Sequence, residues 1–488
     1  EIVPGMYGWG LIGSHKARDG PSANPGHWLV NRVETALAPL PIPTTGERHN
    51  PTMVELKDAP EFNPERPGQC EIIGPVCVGA IPLVFAHSKR NEEVSLSRRH
   101  LAATPNTRGA VAGWKSMGPF VEALATRVLS CYDGPCEQSW LAKLPGAMRE
   151  KYQRWIADLG SSNEPKDHYR KAFLKIELLL PCEGGRRNKA PRLIQGLAKA
   201  EVNTALGCFV SAIASAWKKS IAVDIANSTE KIVYTAGLTR LQVGKLFDKW
   251  TRDGYDVYED DFTQYDASIV EGASWAEKYF FGFFRPDAPA RYALKQQEFT
   301  KGFSKWFKYT ICHTRKSGDQ NTSLGNSVVN AVAHAYAMER MGVVDYKMMV
   351  MGDDNLLFVR GLKPEAAEHF CVNVNSLMGD LGLSAKCQKR RHPMYCSAEF
   401  MPVVVDGTPT MCLTPLVTRK LAKFGWTAQP MRKGENPLQR LKSNEMSCKV
   451  HALMPVARVV NTFYRSLMCG EVPTPDFVLH EDPPEDVQ

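Results

Sequence analysis

The chain has 488 residues, 43% of them apolar and 23% charged, with a formal net charge of +8. These proportions describe a folded globular protein and exclude a disordered or fibrous one. The positive excess fits a polyanionic partner without requiring one, because many solvated surfaces carry as much. The 13 cysteines are scattered without a Cys-x-x-Cys pair, so neither a zinc ribbon nor a disulfide framework is expected, only reduced thiols. No run of about 18 apolar residues offers a membrane-spanning helix.

In chain order, residues 1–70 are rich in Pro and Gly and weakly periodic, the composition of extended chain wrapping over something else. The chain opens Glu1-Ile2-Val3-Pro4, with neither Met nor the charged-then-apolar layout of a secretion signal. A piece of a longer polypeptide, part of a fusion or a trimmed form is therefore expected. Ser88–His100 concentrates Lys89, Arg90, Arg98, Arg99 and His100. Val121–Leu159 turns helical, Phe173–Leu180 reads as a strand, and the basic segment Arg186–Arg192 precedes an amphipathic helix from Lys199 to Trp217. Asp256–Phe262 reads as a strand, Glu271–Phe284 as a helix, and Asn321–Met341 as another. Met348–Asp354 and Asn355–Val359 are predicted strands joined by a tight turn at Gly352-Asp353-Asp354. Pro364–Leu381 is predicted helical and Tyr395–Val405 extended. Beyond Thr414 the pattern is helical and basic, with Arg419, Lys420, Lys423, Arg432, Lys433, Arg440 and Lys442. The last eighteen residues hold six acids, four prolines and no Lys or Arg, which predicts a loose tail. A β/α centre with mixed and helical flanks implies an α+β arrangement.

Three segments carry chemistry. In the first, two apolar strands meet at adjacent carboxylates, Asp353 and Asp354; paired acids at such a tip suit hard divalent cations, although Gly-Asp-Asp is also a good hairpin turn for local reasons. The second, Tyr258-Glu259-Asp260-Asp261-Phe262-Thr263-Gln264-Tyr265-Asp266, is a strand ending in acids. Its end can present Asp261 beside the turn. Asp260 is the rival by one-residue slippage, and the five-residue step to Asp266 favours Asp261. The third, Ser317-Gly318-Asp319-Gln320-Asn321-Thr322-Ser323-Leu324-Gly325-Asn326, runs from a loop into a helix. Thr322 and Asn326, four apart, share a helical face and with Asp266 can recognise a ribose 2′-hydroxyl. Capping by Ser317 or Asn321 is the purely structural alternative.

Asp-x4-Asp, Ser-Gly-x3-Thr-x3-Asn and Gly-Asp-Asp, in that order, resemble motifs A, B and C of the RNA-dependent RNA polymerases of positive-strand RNA viruses. The Ser317–Asn326 text, and Ala190-Pro191-Arg192-Leu193-Ile194-Gln195 following Phe173-Leu174-Lys175-Ile176-Glu177, are most similar to the tombusvirus and carmovirus group. Matching segments run from about residue 173 to 425. The resemblance implies a right-hand fold with an encircled active site and a palm of antiparallel sheet packed on helices. Residues 1–250 would be fingers, with an N-terminal strap and motif F near 173–195; 251–283 palm; 284–316 fingers; 317–405 palm with motifs B to E; and 406–488 thumb and acidic tail.

The resemblance also implies roles. Asp261, Asp353 and Asp354 would hold two Mg2+ ions, with Mn2+ as a substitute, Asp354 being the weaker ligand. Asp266, Ser317, Gly318, Thr322 and Asn326 would select the ribose. Arg186, Arg187, Lys189, Arg192 and Lys175 would face the triphosphate, where fixed positive charge and arginine forks are needed. Lys386 would protonate the leaving pyrophosphate, with Lys389 as rival. Template and product RNA and ribonucleoside triphosphates are the implied partners, with a viral replication co-factor supplying membrane attachment at cytoplasmic replication sites. Two other readings share features: a reverse transcriptase shares the paired acids, and a basic RNA-binding protein without enzymatic activity shares the charge.

Overall fold

A five-stranded sheet lies at the centre, in the order Ala385–Lys389, Asp256–Phe262, Asp354–Val359, Tyr346–Met351, Ile232–Tyr234. The structure, a computed structural model, describes residues 31–35, 52–56, 68–72, 82, 84–101, 110–144, 146–157, 169–180, 191–197, 200–221, 231–405 and 407–428. Arg186, Arg187 and Lys189, most of residues 1–70, and the expected thumb helices and tail beyond 428 lie outside the described residues.

The strands form where the sequence alternates. Along the central hairpin Met348, Val350, Leu357 and Val359 point to one face, while Met349, Leu356 and Phe358 point to the other. Both faces are covered. The first meets the helices Thr322–Arg340 and Pro364–Asp380; the second meets the Arg240–Arg252 helix through Val243, Leu246, Phe247 and Trp250. The Thr322–Arg340 helix is buried along most of its length, as a core helix of Ala and Val must be. The expected antiparallel sheet is corrected at one edge, where Ile232–Tyr234 runs parallel to Tyr346–Met351. A long helical connection separates those two strands, so no hairpin imposes antiparallel pairing.

A second five-stranded sheet has the order Thr52–Glu55, Phe307–Cys312, Phe299–Phe303, Tyr169–Leu174, Leu193–Leu197. Its inner face, with Ala172, Leu174, Leu193, Tyr309 and Ile311, packs on Leu96 and Leu101 at the end of the Lys89–Arg99 helix. The strand expected at Phe173–Leu180 is instead Tyr169–Leu174. Its last ladder contacts are Leu174 opposite Leu193 and the Lys175 N–H to the Arg192 carbonyl; the next partner residue, Pro191, has no N–H to offer.

Two other expectations change. The strand expected over Tyr395–Val405 is split into Met394–Tyr395 and Ala398–Val405 by a turn at Cys396 and Ser397, both left-handed at φ 51° and 58°. After Thr414 the described chain holds one helix, Val417–Lys423, and then the strand Trp426–Thr427. That strand pairs with Gly68–Ile72, which in turn pairs with Asn31–Thr35.

Candidate active site

The Asp256–Phe262 strand is flanked by Asp354–Val359 on one side and Ala385–Lys389 on the other. This places Asp260 opposite Asn355 and Cys387, and Asp261 opposite Lys386. The two acids differ sharply in their surroundings. Asp260 is buried, its Oδ2 2.8 Å from His334 Nε2 and its Oδ1 accepting the Lys386 N–H at 3.0 Å. Asp261, the next residue, is exposed. Asp260 is a structural acid and Asp261 is the one a ligand can reach.

Met351 pairs with Asp354, leaving Gly352 and Asp353 as a two-residue loop. Gly352 has φ 66° and Asp353 a negative φ, the pattern of a type II′ hairpin turn. The turn is pinned from below by the central helix. Ser327 Oγ accepts the Gly352 N–H at 2.7 Å, and Asn330 Nδ2 donates to the carbonyls of Gly352 and Asp353 at 3.2 Å each. Asn355 Nδ2 donates to Asn330 Oδ1 at 2.9 Å.

Asp353 stands at the tip, open to solvent, yet surrounding protein pushes its carboxyl up, and the charges of Asp266 and Asp261 push it further. Burial, then Asp353 and Asp261, push Asp354 up to about 7, against a hydrogen bond from the Cys396 backbone. Acids that raise one another in this way are within mutual electrostatic reach and gain from a shared cation. A donor set of carboxylate oxygens fits a hard divalent ion. Among the described residues no group of three or more His, Cys, Asp or Glu is already arranged to hold a metal, so the acids are gathered without being closed on one point.

The residues expected to face a ribose come together in part. Asp266 accepts from Asn326 Nδ2 at 3.0 Å and from the Ser317 hydroxyl. Asn326 is oriented by Arg315, whose Nε donates to its Oδ1 at 2.7 Å; Arg315 in turn makes a bidentate pair with Glu277 at 2.9 Å on both arms. The Glu277 and Arg315 side chains are each 2% exposed. Gly325 makes room for this pair, since a Cβ there would stand 1.9 Å from Glu277 Oε1. Gly318 lies against the Leu193–Leu197 strand, where a Cβ would stand 2.6 Å from the Gln195 carbonyl. Thr322 is turned away, its hydroxyl donating to the carbonyls of Lys316 and Asp319 at 3.1 and 2.8 Å. Neither Ser317 nor Asn321 caps the helix: Asn321 donates instead to Glu277 Oε1 at 2.7 Å and to Gln297 Oε1 at 3.2 Å.

On the basic side, Arg192 donates from Nε to Glu177 Oε1 at 2.7 Å and from Nη2 to Oε2. That contact raises its pKa, with Asp353 and Asp266 adding to it. Lys175 is pushed down by burial and then by Arg192. Lys386 sits beside Asp261, whereas Lys389 is ion-paired with Asp256 at 2.7 Å further down the strand. Arg99, from the basic segment that carried no assigned role, lies within electrostatic reach of this site. Burial and Arg192 lower its pKa while Asp266, Glu177 and Asp353 raise it. The buried supports Glu277, Arg315, Ser327, Asn330 and His334 were not singled out from the sequence. For the last three the available signal was a polar stripe at three- and four-residue steps through a helix of Ala and Val.

Residues 198–431 match the RNA dependent RNA polymerase family. The matched stretch contains Asp261, Asp266, Asp353, Asp354 and the Thr322–Arg340 helix, while Lys175, Glu177 and Arg192 lie before it. The chain is 29% identical over 309 residues to the RNA-directed RNA polymerase of Cucumber necrosis virus, a match covering 58% of this chain and 35% of that protein. It is 28% identical over 305 residues to that of Tomato bushy stunt virus (strain Cherry), with the same coverage. Over 222 residues it is 27% identical to that of Melon necrotic spot virus, 43% of this chain and 26% of that protein. The match thus spans about a third of the length of the first two relatives.

Proposed function

We propose that the chain is the catalytic part of a template-directed RNA polymerase that joins ribonucleoside triphosphates to an RNA 3′-hydroxyl and replicates a positive-strand viral RNA genome. The observation that carries this reading is Asp266. It is held by Ser317 and Asn326, and its charge acts directly on Asp353. In this reading a ribose-selecting acid and a cation-binding acid would share one site.

Asp261 and Asp353 would hold divalent cations, two Mg2+ with Mn2+ as a substitute, and Asp354 would be the weaker member. When bound, such ions neutralise charge on the reacting phosphate and lower the pKa of the attacking hydroxyl. The remaining work falls to the chain's own residues. Asp266 and Asn326 meet the 2′-hydroxyl, and Thr322 shapes the loop that presents Ser317. Arg192, whose Nε and Nη2 are held by Glu177, would offer its remaining Nη1 edge to the triphosphate, with Lys175 adding positive charge; Arg186, Arg187 and Lys189, expected to do the same, lie outside the described residues. Lys386, opposite Asp261, is the proton donor to the pyrophosphate.

In this reading the central sheet is the palm and the sheet containing Tyr169–Leu174 belongs to the fingers. The pairing of Trp426–Thr427 with Gly68–Ile72 supports a strap from the N-terminal segment to the thumb, and with it an encircled site. No described helix is long and apolar enough to cross a membrane; attachment at cytoplasmic replication membranes is assigned to a co-factor or fused segment. The test is extension of a primed RNA template with ribo- or deoxyribonucleotides and Mg2+, beside an Asp353→Ala control. Extension with ribonucleotides alone, lost in the control, is expected. Extension with deoxyribonucleotides alone would make it a reverse transcriptase, and none with either would leave an RNA-binding protein.

A further inference from the structure

A dry polar layer lies directly beneath the acids of the site. On the sheet face that meets the Thr322–Arg340 helix, Tyr258, Phe262, Leu357 and Val359 belong to the apolar core, whereas Asp260 and Asn355, opposite one another, are polar. The helix answers them with Asn330 and His334, set among Ala331, Val332, Ala333 and Ala335. None of the four is more than 2% exposed. They are joined in series. His334 Nε2 lies 2.8 Å from Asp260 Oδ2, and His334 Nδ1 lies 2.9 Å from the Asn330 carbonyl. The Asn330 side chain accepts from the Asn355 amide and donates to the carbonyls of Gly352 and Asp353. Asp261 follows Asp260 in the chain and Asp354 precedes Asn355, so each acid is one step from this layer.

Stability does not account for the layer. A buried carboxylate–histidine pair does little more than recover its own desolvation, and packed apolar residues of similar volume often do as well or better. The neighbouring positions show that this face accepts them. What the layer does supply is a tie where the sheet has none. The ladder between the Asp256–Phe262 and Asp354–Val359 strands ends at Asp260 opposite Asn355, so Asp261 and Asp354 stand beyond its last pair. There the acids repel one another, which pushes the strand end and the turn apart when no cation is bound. The second oxygen of Asp260 extends the tie to the third strand by accepting the Lys386 N–H.

We infer that Asp260 and His334 are positioning residues: through Asn330 they hold Asp261 and the Asp353 turn at the spacing in which a divalent cation is gripped. The inference rests on the reading of those acids as a cation site. Partners that orient metal ligands from behind typically change metal affinity by about 10- to 100-fold.

The test is Mn2+ binding to the RNA-free protein, read from the electron paramagnetic resonance signal of free Mn2+, beside thermal melts of the same samples. D260L/H334L replaces the pair by apolar side chains, and N330A cuts the link to the turn without changing any charge. H334Q keeps an N–H that can meet Asp260. The double variant is expected to melt at or above the wild-type temperature, and yet to bind Mn2+ about tenfold more weakly. N330A should also bind about tenfold more weakly, and H334Q within about threefold of wild type. Primer extension by the double variant should need about tenfold more Mg2+ for its half-maximal rate, with template affinity unchanged. A folded double variant that binds Mn2+ within about twofold of wild type would overturn the inference. Should the double variant fail to fold, N330A decides: weaker binding supports the inference, and binding like wild type overturns it. Wild-type protein that behaves in this way but never extends a primer would sink the polymerase reading while supporting this one. Wild type that extends a primer, with variants that bind Mn2+ equally well, would sink this one alone.

Discussion

Glu277 and Asp319 are buried acids, and each meets a buried arginine: Glu277 meets Arg315 and Asp319 meets Arg170. Asp353 and Asp354, on the neighbouring hairpin, are crowded by protein and feel chiefly other acids. The first group is internally neutralised and cross-linked through Asn321 and Gln297; it holds a loop in one shape. The second has charge left over, which destabilises the free protein and favours a cation. Matched charge gives rigidity, and unmatched charge gives binding.

The comparison can be broken most severely at the unmatched acids. Asp353→Asn should lower nucleotide addition by about a thousandfold or more, the equivalent of several kcal/mol of charge stabilisation, without lowering the melting temperature of the metal-free protein. The matched group should behave in reverse. Glu277→Gln strands a buried Arg315 and is expected to cost about 3–5 kcal/mol, read by urea unfolding; Arg315→Met should do the same by stranding Glu277.

Acidity sharpens the contrast. Asp354 is raised from 3.8 to about 7 in the folded state, so between those values the folded protein binds more protons than the unfolded chain. Stability therefore falls as pH rises through that window, is fully reduced above about 7, and is restored by acid. Metal-free protein should lose stability on the order of a few kcal/mol between pH 4 and 8 from this group. Asp354→Asn should flatten that part of the profile in thermal melts. A smaller effect is expected at Gly325→Ala, where the added methyl meets Glu277; about 1–3 kcal/mol of stability should be lost. Smallest is Ser317→Ala, which removes one of the two side-chain bonds holding Asp266. Ribo- over deoxyribonucleotide preference should fall by about tenfold in competitive incorporation.

Features that depend on nearby residues were legible in the sequence. The Asp256–Phe262 strand has its expected bounds, and the Thr322–Arg340 helix differs by one residue at each end. Alternation and a 3.6-residue period are local signals. The choice of Asp261 over Asp260 rests on spacing; the structure shows that His334 and the Lys386 N–H claim Asp260 and leave Asp261 exposed. What could not be read is non-local. Nothing near Gly325 announces that a carboxylate far back in the chain must fit against it. Nor does Arg99 show from its own neighbourhood that it comes within electrostatic reach of Asp266 and Asp353. The turn at Cys396-Ser397 was missed because left-handed backbone is normally signalled by Gly or Asn, and neither stands there.

The Thr322–Arg340 helix touches two things at once. Asn326 holds Asp266, and Asn330, four residues on, holds the Gly352-Asp353 turn. Four residues of α-helix are a spacer of about 6 Å with a fixed rotation. The helix is therefore a gauge that sets where Asp266 stands relative to Asp353, and in the proposed reading where sugar recognition stands relative to the acids. One residue inserted between Asn326 and Asn330 would turn one contact about 100° from the other, so this spacing is far less tolerant of insertion than the loops around it.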